Sequence, residues 1–433
     1  MMLNKEYEAM HREDLEQLQL ERLQSTLHRV YRNVAFYHQI FDDRKTDVEK
    51  IRNLADVNQL PFTTKEDLKK SYPYDMFAVP LRDIVRIHST SGTTGKPIVV
   101  GYTKNDINTW TSLMARVMTA AGITEQDVVQ IAYSYSLFTG GFGFHFGAER
   151  LGSSVIPAGG EDVVKQIMIM KDFKTTVLAG TPGFALHIGT VLKDSGIHPE
   201  ELSLKTGIFG AEPWSRNMRL QIEESLRIET FDNYGLTEIM GPGVAFECSA
   251  KQGLHVNEDH FMVEIIDPET RMPAAPGKQG ELVFTTITKQ GFPLIRYRTG
   301  DISAFLEGDC PCGRTLRRIE RISGRTDDMM IIEGINAFPS QIEEVLLQIE
   351  GVKPHYQIIL ERSSGMDTME VQVEVEEQVF SDETKVLEKL RLAIQQRIKS
   401  AMGIVCKITL VEPKKLNRST GGKLKRIVDN RDR

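Results

Sequence analysis

The sequence predicts an α/β protein, with a large N-terminal domain on a mostly parallel, helix-covered sheet and a small C-terminal α+β lid domain. From residue 127 to 234, short apolar runs alternate with longer amphipathic segments, which is typical of strands and helices in a parallel sheet. After Gly243 the apolar runs are joined by Pro/Gly-rich turns, which indicates an antiparallel β region. From Arg325 the predicted order is β-α-β-β-α-β, that of a ferredoxin-like unit.

The predicted elements follow the chain in order. Leucines and valines at helical spacing predict helices in the first forty residues, packed on the larger domain. Thr64 with Asp67 predicts a helix start, and Pro213 is expected at the first position of another helix. The predicted parallel strands are Val128–Ala132, Ser154–Pro157, Thr176–Ala179, Gly207–Phe209 and Ile228–Phe231. The predicted antiparallel strands are Phe261–Ile266, Glu281–Thr286 and Asp301–Leu306.

We place the large domain at residues 1–325, with a helical start at 1–60 and the antiparallel region at about 244–323. The small domain is residues 326–433, and the boundary lies at Gly324–Asp328. Its predicted strands and helices are Met329–Ile332, Pro339–Ile349, Tyr356–Leu360, Thr368–Val375, Asp382–Met402 and Ile404–Val411.

The composition narrows the class of protein. A chain of 433 residues with 40 % hydrophobic and 26 % charged residues is expected to fold into two or three globular domains. A net charge of −7 gives no reason to expect nucleic acid or an anionic membrane as a partner. Met1–Asp14 is polar, no apolar run is long enough to span a bilayer, and four cysteines are not a disulfide framework. We therefore expect a cytoplasmic protein.

Residues 88–97 read HSTSGTTGKP and lie between two apolar runs, Ile84–Ile87 and Ile98–Val100. Glycines let successive backbone N–H groups converge on a phosphate, and Lys96 adds a positive charge. The kinase-type P-loop needs four residues between its glycines and then opens a helix. Here only two residues separate Gly92 from Gly95, and a strand is predicted to follow. The segment is either a phosphate loop between two strands or an ordinary hairpin loop.

Two polar motifs follow predicted strands, where ligands bind in open α/β sheets. In Tyr234–Glu238 the tyrosine ring can stack on a base, Thr237 can bind a phosphate oxygen, and Glu238 can hold Mg²⁺. Gly210–Pro213 follows the neighbouring strand, and its small residues would admit a planar ring. Either motif by itself also fits a turn with an exposed glutamate.

Three charged segments lie further along the chain. Asp301 offers a carboxylate to a ribose diol, and Arg325 offers a guanidinium that would reach the same ribose. Arg418–Arg426 is a basic loop with two glycines, in which the small domain would deliver Lys423. Taken singly, these segments also fit charged turns and a solvated tail.

In this order, the six motifs resemble the adenylate-forming superfamily of acyl-CoA synthetases and adenylation domains, most closely the phenylacetate-CoA ligase family. The likeness runs from about Pro61 to the end of the chain. Its specific marks are YSLFTGG at 135–141, GAEPW at 210–214, YGLTEIMGPG at 234–243 and FPSQIEE at 338–344. The resemblance implies a two-step reaction. ATP and a carboxylate give an acyl-adenylate and pyrophosphate, and the thiol of coenzyme A then displaces AMP.

The resemblance also implies residue roles. Lys423, Glu238 and Thr237 would be catalytic, with Glu238 holding Mg²⁺, and Asp327 would be the hinge about which the lid domain rotates. The implied nucleotide-binding residues are Ser89, Ser91, Gly92, Thr93, Thr94, Gly95, Lys96, Gly210, Ala211, Glu212, Asn233, Tyr234, Gly235, Thr237, Asp301 and Arg325. The expected pocket for the acid consists of Tyr135, Phe138, Gly141, Phe142, Phe209, Ala211, Gly241 and Pro242, whose rings and glycines suit a flat aryl or arylacetic acid.

Cysteine spacing predicts a structural zinc site separate from this chemistry. Cys248 and His255 have C-x6-H spacing, and Cys310 and Cys312 form a C-x-C pair followed by a glycine. Three cysteines and one histidine are a known closed zinc set. His260 is a rival ligand to His255, and buried inert cysteines are the alternative to a metal site.

Three other functions compete with a coenzyme A ligase. One is an adenylation enzyme that loads a separate carrier protein, although no carrier domain is fused here. Another is a nucleotide-binding regulatory protein that has lost turnover, which the retention of Lys96, Glu238, Asp301, Arg325 and Lys423 disfavours. The last is a phosphotransferase, which the spacing of the glycine loop disfavours. A homodimer is expected from the resemblance.

Overall fold

The computed structural model describes residues 1–90, 96–160, 162–326, 328–332, 335–363, 366–380, 384–413, 415–416 and 426–431. The α-helices in these ranges are α1 Lys5–Glu8, α2 Arg12–Asn33, α3 Ala35–Asp43, α4 Lys65–Lys70, α5 Lys104–Ala120, α6 Gly140–Leu151, α7 Val163–Asp172, α8 Pro182–Asp194, α9 Arg216–Leu226, α10 Pro339–Leu346, α11 Glu377–Phe380 and α12 Thr384–Met402. Short 3₁₀ helices occupy Val48–Lys50, Leu54–Gln59, Leu81–Asp83 and Pro199–Glu201.

The strands fall into two groups along the chain. Those before residue 322 are β1 Ile84–Ser89, β2 Val99–Thr103, β3 Val128–Ile131, β4 Ser154–Ile156, β5 Val177–Gly180, β6 Thr206–Gly210, β7 Glu229–Leu236, β8 Gly241–Glu247, β9 Leu254–Val256, β10 Phe261–Ile266, β11 Gly280–Thr286, β12 Tyr297–Ser303, β13 Phe305–Leu306 and β14 Arg318–Ile319. The later ones are β15 Gly324–Arg325, β16 Met330–Ile332, β17 Ile335–Ala337, β18 Val352–Ser363, β19 Met366–Val375, β20 Lys407–Val411 and β21 Ile427–Asp429.

The chain divides into two compact units. The first comprises Met1–Ala211 and Ser225–Arg321, and the second comprises Glu212–Glu224 and Ile322–Arg433. The change of unit after Arg321 lies a few residues before the predicted boundary at Gly324–Asp328. Asp327, the predicted hinge, lies outside the described residues.

The first unit contains a nine-stranded sheet of order β13-β14-β9-β8-β7-β6-β5-β3-β4. Strands β3 to β7 pair in parallel, and β8, β9, β14 and β13 continue the sheet with antiparallel pairing. Strand β5 is buried along its whole length, as expected of a strand covered on both faces. The predicted parallel sheet with alternating helices is confirmed.

Strands β10, β11 and β12 pair side by side and antiparallel, as predicted. The predicted strand Asp301–Leu306 is divided, however. Strand β12 begins at Tyr297 and ends at Ser303, whereas β13 pairs with β14 in the nine-stranded sheet. The apolar run is continuous in sequence, but the chain passes from one sheet to the other at the buried Ala304.

Local capping explains where several helices begin. The side chains of Thr64 and Asp67 form the predicted capping box of α4, and Thr103 and Asp106 form one at α5. The predicted start of α9 at Pro213 is wrong, because α9 begins at Arg216. The hydroxyl of Ser215 accepts a hydrogen bond from the backbone N–H of Met218 at 3.1 Å, which makes Ser215 the cap.

The second unit contains a four-stranded sheet of order β20-β19-β18-β21. Its order differs from the predicted ferredoxin-like arrangement, because β16 pairs with β17 in a separate hairpin and β21 pairs in parallel with β18. A three-residue strand near the end of the chain has too little periodicity to be predicted. Side chains of α10, α12 and the sheet form the core of this unit, including Ile342, Ile358, Val371, Ile394 and Ile398.

The N-terminal helices pack on the first unit, as predicted. Leu15, Leu23, Leu27 and Val30 of α2 are fully buried. The guanidinium of Arg12 donates two hydrogen bonds of 3.0 Å to the carboxylate of Glu258. In the part of the chain that the structure describes, no helix is long and apolar enough to cross a membrane.

Candidate functional site

Strands β1 and β2 flank the glycine-rich segment, as predicted, and pair antiparallel. The backbone N–H of Thr90 donates to the carbonyl of Ile98, and the N–H of Ile98 donates to the hydroxyl of Thr90, both at 3.0 Å. These bonds close the base of the segment. Ser89 is buried, and Lys96 is exposed with its ammonium 5.3 Å from the ring centroid of Tyr72. Five predicted phosphate-binding residues lie outside the described residues: Ser91, Gly92, Thr93, Thr94 and Gly95.

Tyr234, at the carboxyl end of β7, lies beside Asp301 of β12. The hydroxyl of Tyr234 donates a 2.7 Å hydrogen bond to the carboxylate of Asp301, and both side chains are buried. The ring of Tyr234 also stacks on Phe284 at a centroid distance of 6.0 Å. The structure thus brings together the residues predicted to bind adenine and ribose, which are 67 positions apart in the sequence.

The ends of β6 and β7 approach each other closely at Gly210. A Cβ atom on Gly210 would lie 2.2 Å from the carbonyl oxygen of Asn233, so no side chain fits there. Ala211 follows with φ +69°, a left-handed conformation that is unusual for a residue other than glycine. The side chain of Asn233 accepts a 3.1 Å hydrogen bond from the N–H of Gly243, which joins β7 to β8.

The Glu238 turn, defined as residues 237–240, connects β7 to β8. The carboxylate of Glu238 accepts a 3.3 Å hydrogen bond from the hydroxyl of Tyr297, and the hydroxyl of Thr237 lies 3.4 Å from that of Thr139. Both Thr237 and Glu238 are buried. The predicted magnesium-binding carboxylate therefore lies in a polar, shielded environment at the carboxyl end of the sheet, and its hard oxygen ligands suit Mg²⁺.

Three residues that the sequence motifs did not identify hold the backbone around this turn. Lys289 donates to the carbonyls of Ile239 at 2.7 Å and Glu238 at 3.4 Å. Tyr102 donates to the carbonyl of Met240, and Trp110 to that of Pro242, both at 3.0 Å. Lys289 is the only charged residue in the sequence from 284 to 295, and this was the available signal for it. The roles of Tyr102 and Trp110 depend on contacts that no local pattern reveals.

Lys289 is fully buried, and this changes its acidity. Burial lowers the pKa of Lys289 to about 7, although the nearby carboxylates of Asp106 and Glu238 favour the charged form. Its ammonium also lies 4.5 Å from the ring centroid of Tyr102 and 5.5 Å from that of Phe292. The side chain is therefore surrounded by aromatic rings and backbone carbonyls.

Part of the predicted acid pocket forms an aromatic cluster. The rings of Tyr135 and Phe142 meet edge to face at 5.2 Å, and His88 packs against Phe142 at 5.4 Å. Gly241 is packed tightly there, since a Cβ on it would lie 2.6 Å from Trp110. A Cβ on Gly143 would lie 2.5 Å from the ring of Pro242. Tyr135, Phe142, Gly241 and Pro242 are thus linked through neighbouring aromatic residues.

Three other predicted pocket residues have packing contacts of their own. Phe209 is fully buried, and its ring covers Gly207, where a Cβ would lie 2.4 Å from it. Phe138 packs against Tyr133, with centroids 6.3 Å apart. A Cβ on Gly141 would lie 3.0 Å from the carbonyl oxygen of Ser134, so this glycine allows close backbone approach.

His88 is a further residue that the sequence did not single out. Its Nδ1 lies 3.0 Å from the carbonyl oxygen of Leu137, and its ring also packs edge-on against Tyr102 and Trp110. Burial lowers the pKa of His88 to about 4, and the positive charges of Arg86 and Lys289 act in the same direction. His88 is therefore neutral at pH 7, with Nδ1–H as the donor to Leu137. Its place as the first residue of segment 88–97 was the available signal.

The Cys/His cluster comprises Cys248, His255, Cys310 and Cys312. Its four ligand atoms all lie within 4.8 Å of one another. The sulfurs of Cys248 and Cys310 are 3.7 Å apart, and the sulfur of Cys312 lies 3.4 Å from Nε2 of His255. Zn–S bonds of about 2.3 Å and Zn–N bonds of about 2.0 Å give tetrahedral edges of roughly 3.5–3.8 Å. Two of the observed separations are therefore close to those of a zinc tetrahedron.

The surroundings of the Cys/His cluster also suit a metal. Nδ1 of His255 lies 3.2 Å from the carbonyl oxygen of Leu316, which fixes the tautomer that presents Nε2 to the cysteines. Burial raises the pKa of Cys312, but hydrogen bonds from His255 and Arg314 outweigh it and lower the pKa to about 5. His260 is engaged elsewhere, with Nδ1 2.8 Å from the hydroxyl of Thr288.

Glu212 and Arg325 are described, but they belong to the second unit. Arg325 ends the short strand β15. The predicted lid lysine, Lys423, lies outside the described residues, as does Asp327. Their roles stay predictions.

Comparison with known proteins matches this architecture to one class of enzyme. Residues 16–288 match the family model of AMP-binding enzymes, and residues 334–431 match that of the AMP-binding enzyme C-terminal domain. The chain belongs to the AMP-binding enzyme family.

More specific relatives are phenylacetate-coenzyme A ligases. The chain is 45 % identical to that of Thermus thermophilus, with 100 % of both chains covered. It is 44 % identical to that of Escherichia coli, with 97 % of this chain and 96 % of the relative covered. The fold matches a crystal structure of a 2-hydroxyisobutyryl-CoA ligase in the postadenylation state with an acyl-AMP, at a TM-score of 0.92 and 27 % identity, covering 98 % of this chain and 91 % of that one. The recognised resemblance to the phenylacetate-CoA ligase family is confirmed.

Proposed function

We propose that the protein is an ATP-dependent ligase that joins an aryl or arylacetic acid to coenzyme A. The carboxylate attacks the α-phosphorus of ATP, which forms an acyl-adenylate and releases pyrophosphate. The thiol of coenzyme A then attacks the acyl carbon, which forms the thioester and releases AMP. The observation that carries this proposal is the identity of 45 % to a phenylacetate-coenzyme A ligase over both complete chains.

The described residues support distinct roles in the first step. Tyr234 would stack on the adenine, and Asp301 would accept hydrogen bonds from the ribose hydroxyls beside it. Thr237 would bind a phosphate oxygen, and Glu238 would hold Mg²⁺. When bound, Mg²⁺ neutralises charge on the phosphates. The glycine-rich segment with Lys96 would hold the β- and γ-phosphates, which leave together as pyrophosphate.

The second unit would supply the remaining groups. Arg325 would bind the ribose, and Lys423 would contact the carboxylate and the α-phosphate during adenylation. Negative charge develops on the α-phosphate oxygens as the carboxylate attacks, so a lysine there stabilises the transition state. Rotation about Asp327 would then exchange the adenylation arrangement for the thioester-forming one. The match to the AMP-binding enzyme C-terminal domain supports this assignment.

The acid would occupy the aromatic cluster of Tyr135, Phe142, Gly241 and Pro242. Flat apolar surfaces on either side of a ring favour an aromatic acid over an aliphatic one. His88 is neutral and lies within this cluster, so it would contact the acid without adding charge. Phenylacetate is the expected substrate, because the full-length relatives are phenylacetate-coenzyme A ligases.

A panel of acids tests the proposed reaction. Phenylacetate, benzoate and indoleacetate are each incubated with ATP, Mg²⁺ and coenzyme A, and AMP and the thioester are measured. Acid-dependent exchange between ATP and pyrophosphate is measured in parallel without coenzyme A. We expect AMP and thioester in equal amounts with phenylacetate or a close analogue. Acid-dependent exchange between ATP and pyrophosphate without a thioester would favour loading of a carrier protein instead. No exchange with any acid would favour a regulatory nucleotide-binding protein.

We also propose that the Cys/His cluster holds a structural zinc ion. The supporting observations are the four convergent ligand atoms, the two near-tetrahedral separations and the carbonyl of Leu316 behind His255. Metal analysis of protein purified without added zinc should find about one equivalent. The matched control is the variant Cys406→Ser, which alters the fourth cysteine, in the second unit, and should keep the metal. Less than half an equivalent in the unaltered protein would exclude a resident zinc ion.

A homodimer and a cytoplasmic location complete the proposal. The location is supported by the proposed use of ATP and coenzyme A. Light scattering after size-exclusion chromatography should give about twice the monomer mass of 48.9 kDa. A monomer mass at micromolar concentration would contradict the dimer without affecting the proposed reaction.

A further inference from the structure

Lys289 is a buried, positively chargeable side chain for which the proposed reaction assigns no role. It is 1 % exposed, and lysine is almost never fully buried unless it is paired. Removing an ammonium group from water is unfavourable, and contacts with the protein must offset that loss. A lysine retained in such a place therefore points to a specific task.

The contacts of Lys289 are concentrated on the Glu238 turn. Its Nζ donates to the carbonyl of Ile239 at 2.7 Å and to that of Glu238 at 3.4 Å. These two carbonyls belong to the residue with the proposed magnesium-binding carboxylate and to the residue after it. The 2.7 Å bond to Ile239 is shorter than the 3.0 Å bond that Tyr102 donates to Met240, the other side-chain donor to a backbone carbonyl of the turn described above.

The backbone next to Lys289 is itself anchored. The carboxylate of Asp106, in the first turn of α5, accepts hydrogen bonds from the N–H groups of Gln290 at 2.7 Å and Gly291 at 2.8 Å. It also accepts one from the N–H of Thr103 at 2.9 Å, at the end of β2. Strand β2 leads directly from the glycine-rich segment. The backbone next to Lys289 is thus fixed through Asp106 to Thr103, the last residue of β2.

Neighbouring donors extend the pattern to the following residues. Tyr102 of β2 donates to the carbonyl of Met240, and Trp110 of α5 donates to that of Pro242. Within the turn, the N–H groups of Ile239 and Met240 both bond to the carbonyl of Leu236 at 3.2 Å. The backbone of the turn is held on both sides, and only Lys289 contacts Glu238 and Ile239 together among these three donors.

We propose that Lys289 is a positioning residue for adenylation, which holds the Glu238 turn so that Thr237 and Glu238 keep the orientation needed for ATP and Mg²⁺. The proposal rests on the proposed function. Lys289 acts on the reaction only through the turn, because its ammonium is surrounded by Tyr102, Phe292 and the two carbonyls. The consequence is a split between the two half-reactions, because only adenylation uses Mg²⁺ and the β- and γ-phosphates of ATP, whereas thioester formation starts from an acyl-adenylate with a single phosphate.

The test compares Lys289→Met with Phe292→Leu. Methionine has a similar length and no donor, whereas Phe292→Leu disturbs the packing around Lys289 without removing a hydrogen bond to the turn. Lys289→Met should lower kcat of acid-dependent ATP–pyrophosphate exchange at least about tenfold and raise the Mg²⁺ concentration for half-maximal rate. Thioester formation from supplied acyl-adenylate should change less than about threefold. Phe292→Leu should lower Tm but leave the ratio of the two half-reactions unchanged.

Hydrogen exchange gives a readout that needs no activity. In Lys289→Met the N–H groups of Ile239 and Met240 should exchange at least about tenfold faster, whereas Phe292→Leu should leave them unchanged. A third variant, Tyr102→Phe, removes only the donor to Met240 and should shift both readouts in the same direction by a smaller factor. Unchanged exchange at Ile239 and Met240 in a folded Lys289→Met protein would overturn the positioning role. So would an equal loss of both half-reactions.

The failure of the two proposals is distinguishable. If the unaltered protein forms no adenylate with any acid, the proposed function fails, and hydrogen exchange still decides whether Lys289 holds the turn. The other case is that the unaltered protein forms the adenylate while the kcat of ATP–pyrophosphate exchange in Lys289→Met stays within about threefold of the unaltered value. In that case only the role of Lys289 fails.

Discussion

The Glu238 turn and the Cys/His cluster both adjoin strand β8, but their polar atoms are satisfied in different ways. Lys289 and Tyr102 donate to backbone carbonyls of the turn, and Trp110 donates to that of Pro242 just after it, so protein groups hold the chain in place. In the cluster, three sulfurs and one imidazole nitrogen converge mainly on one another. The comparison indicates that the turn is ordered by the protein itself, whereas the cluster would be ordered by a metal. Under the proposed function, the first arrangement would serve chemistry and the second would serve stability.

The largest expected effect concerns the lysine proposed to act in adenylation. Lys423→Ala should lower the rate of adenylation on the order of a hundredfold to a thousandfold, because the developing charge on the α-phosphate loses its cation. Thioester formation from supplied acyl-adenylate should be largely retained. Single-turnover measurements of each half-reaction test this. Equal losses in both would contradict the role of Lys423 as the adenylation lysine.

Removing one ligand of the Cys/His cluster tests whether the cluster stabilises the fold. Cys310→Ser should lose the proposed zinc and lower the free energy of unfolding by about 3 kcal/mol, which corresponds to a fall in Tm of roughly 3–5 °C for a protein of this size. At a temperature where the variant is folded, kcat should stay within about threefold of the unaltered value. Differential scanning calorimetry and metal analysis check this, with Cys406→Ser as the control that keeps its metal. A large loss of kcat in folded Cys310→Ser would place the cluster in the chemistry.

The buried His88 should make the stability of the protein depend on pH. Its pKa is lowered by burial to about 4 in the folded protein, from an ordinary value near 6.5. Between these values the unfolded chain binds a proton that the folded protein does not, so stability falls as pH decreases. From pH 7 to pH 5 this loss is about 2 kcal/mol.

The matched variant for this effect is His88→Gln, which cannot titrate and can still donate to the carbonyl of Leu137. Between pH 7 and pH 5 the unaltered protein should lose about 2 kcal/mol more of its free energy of unfolding than His88→Gln does. Urea unfolding at pH 7 and pH 5 measures this. A constant difference between the two proteins would show that His88 does not titrate as a buried neutral imidazole.

The smallest expected effect is at the nucleotide contact. Tyr234→Phe removes the 2.7 Å hydrogen bond to Asp301 but keeps the ring. Without this bond the carboxylate of Asp301 is less well oriented for the ribose, and we expect the KM for ATP to rise by up to about tenfold. The KM for coenzyme A should be unchanged. Steady-state kinetics with each substrate varied in turn would reveal a general defect, in which both values rise together.

The sequence by itself determined the α/β class, most strands of the parallel sheet and the family, because alternating periodicity and motif order are local properties of the chain. The caps of α4 and the strands on either side of the glycine-rich segment follow from a few neighbouring residues. Cysteine spacing also identified the three cysteines of the Cys/His cluster and left His255 and His260 as rival ligands, between which the structure chose His255.

Only the tertiary structure decided which residues support the site. Lys289 reads as an ordinary lysine in the sequence, and its importance arises because the Glu238 turn and the rings of Tyr102 and Phe292 cover it. The start of α9 at Arg216 depends on the hydroxyl of Ser215, and strand β21 forms only because β18 lies beside it. Burial and long-range pairing depend on how distant segments pack, and that information is not carried by the spacing of residues along the chain.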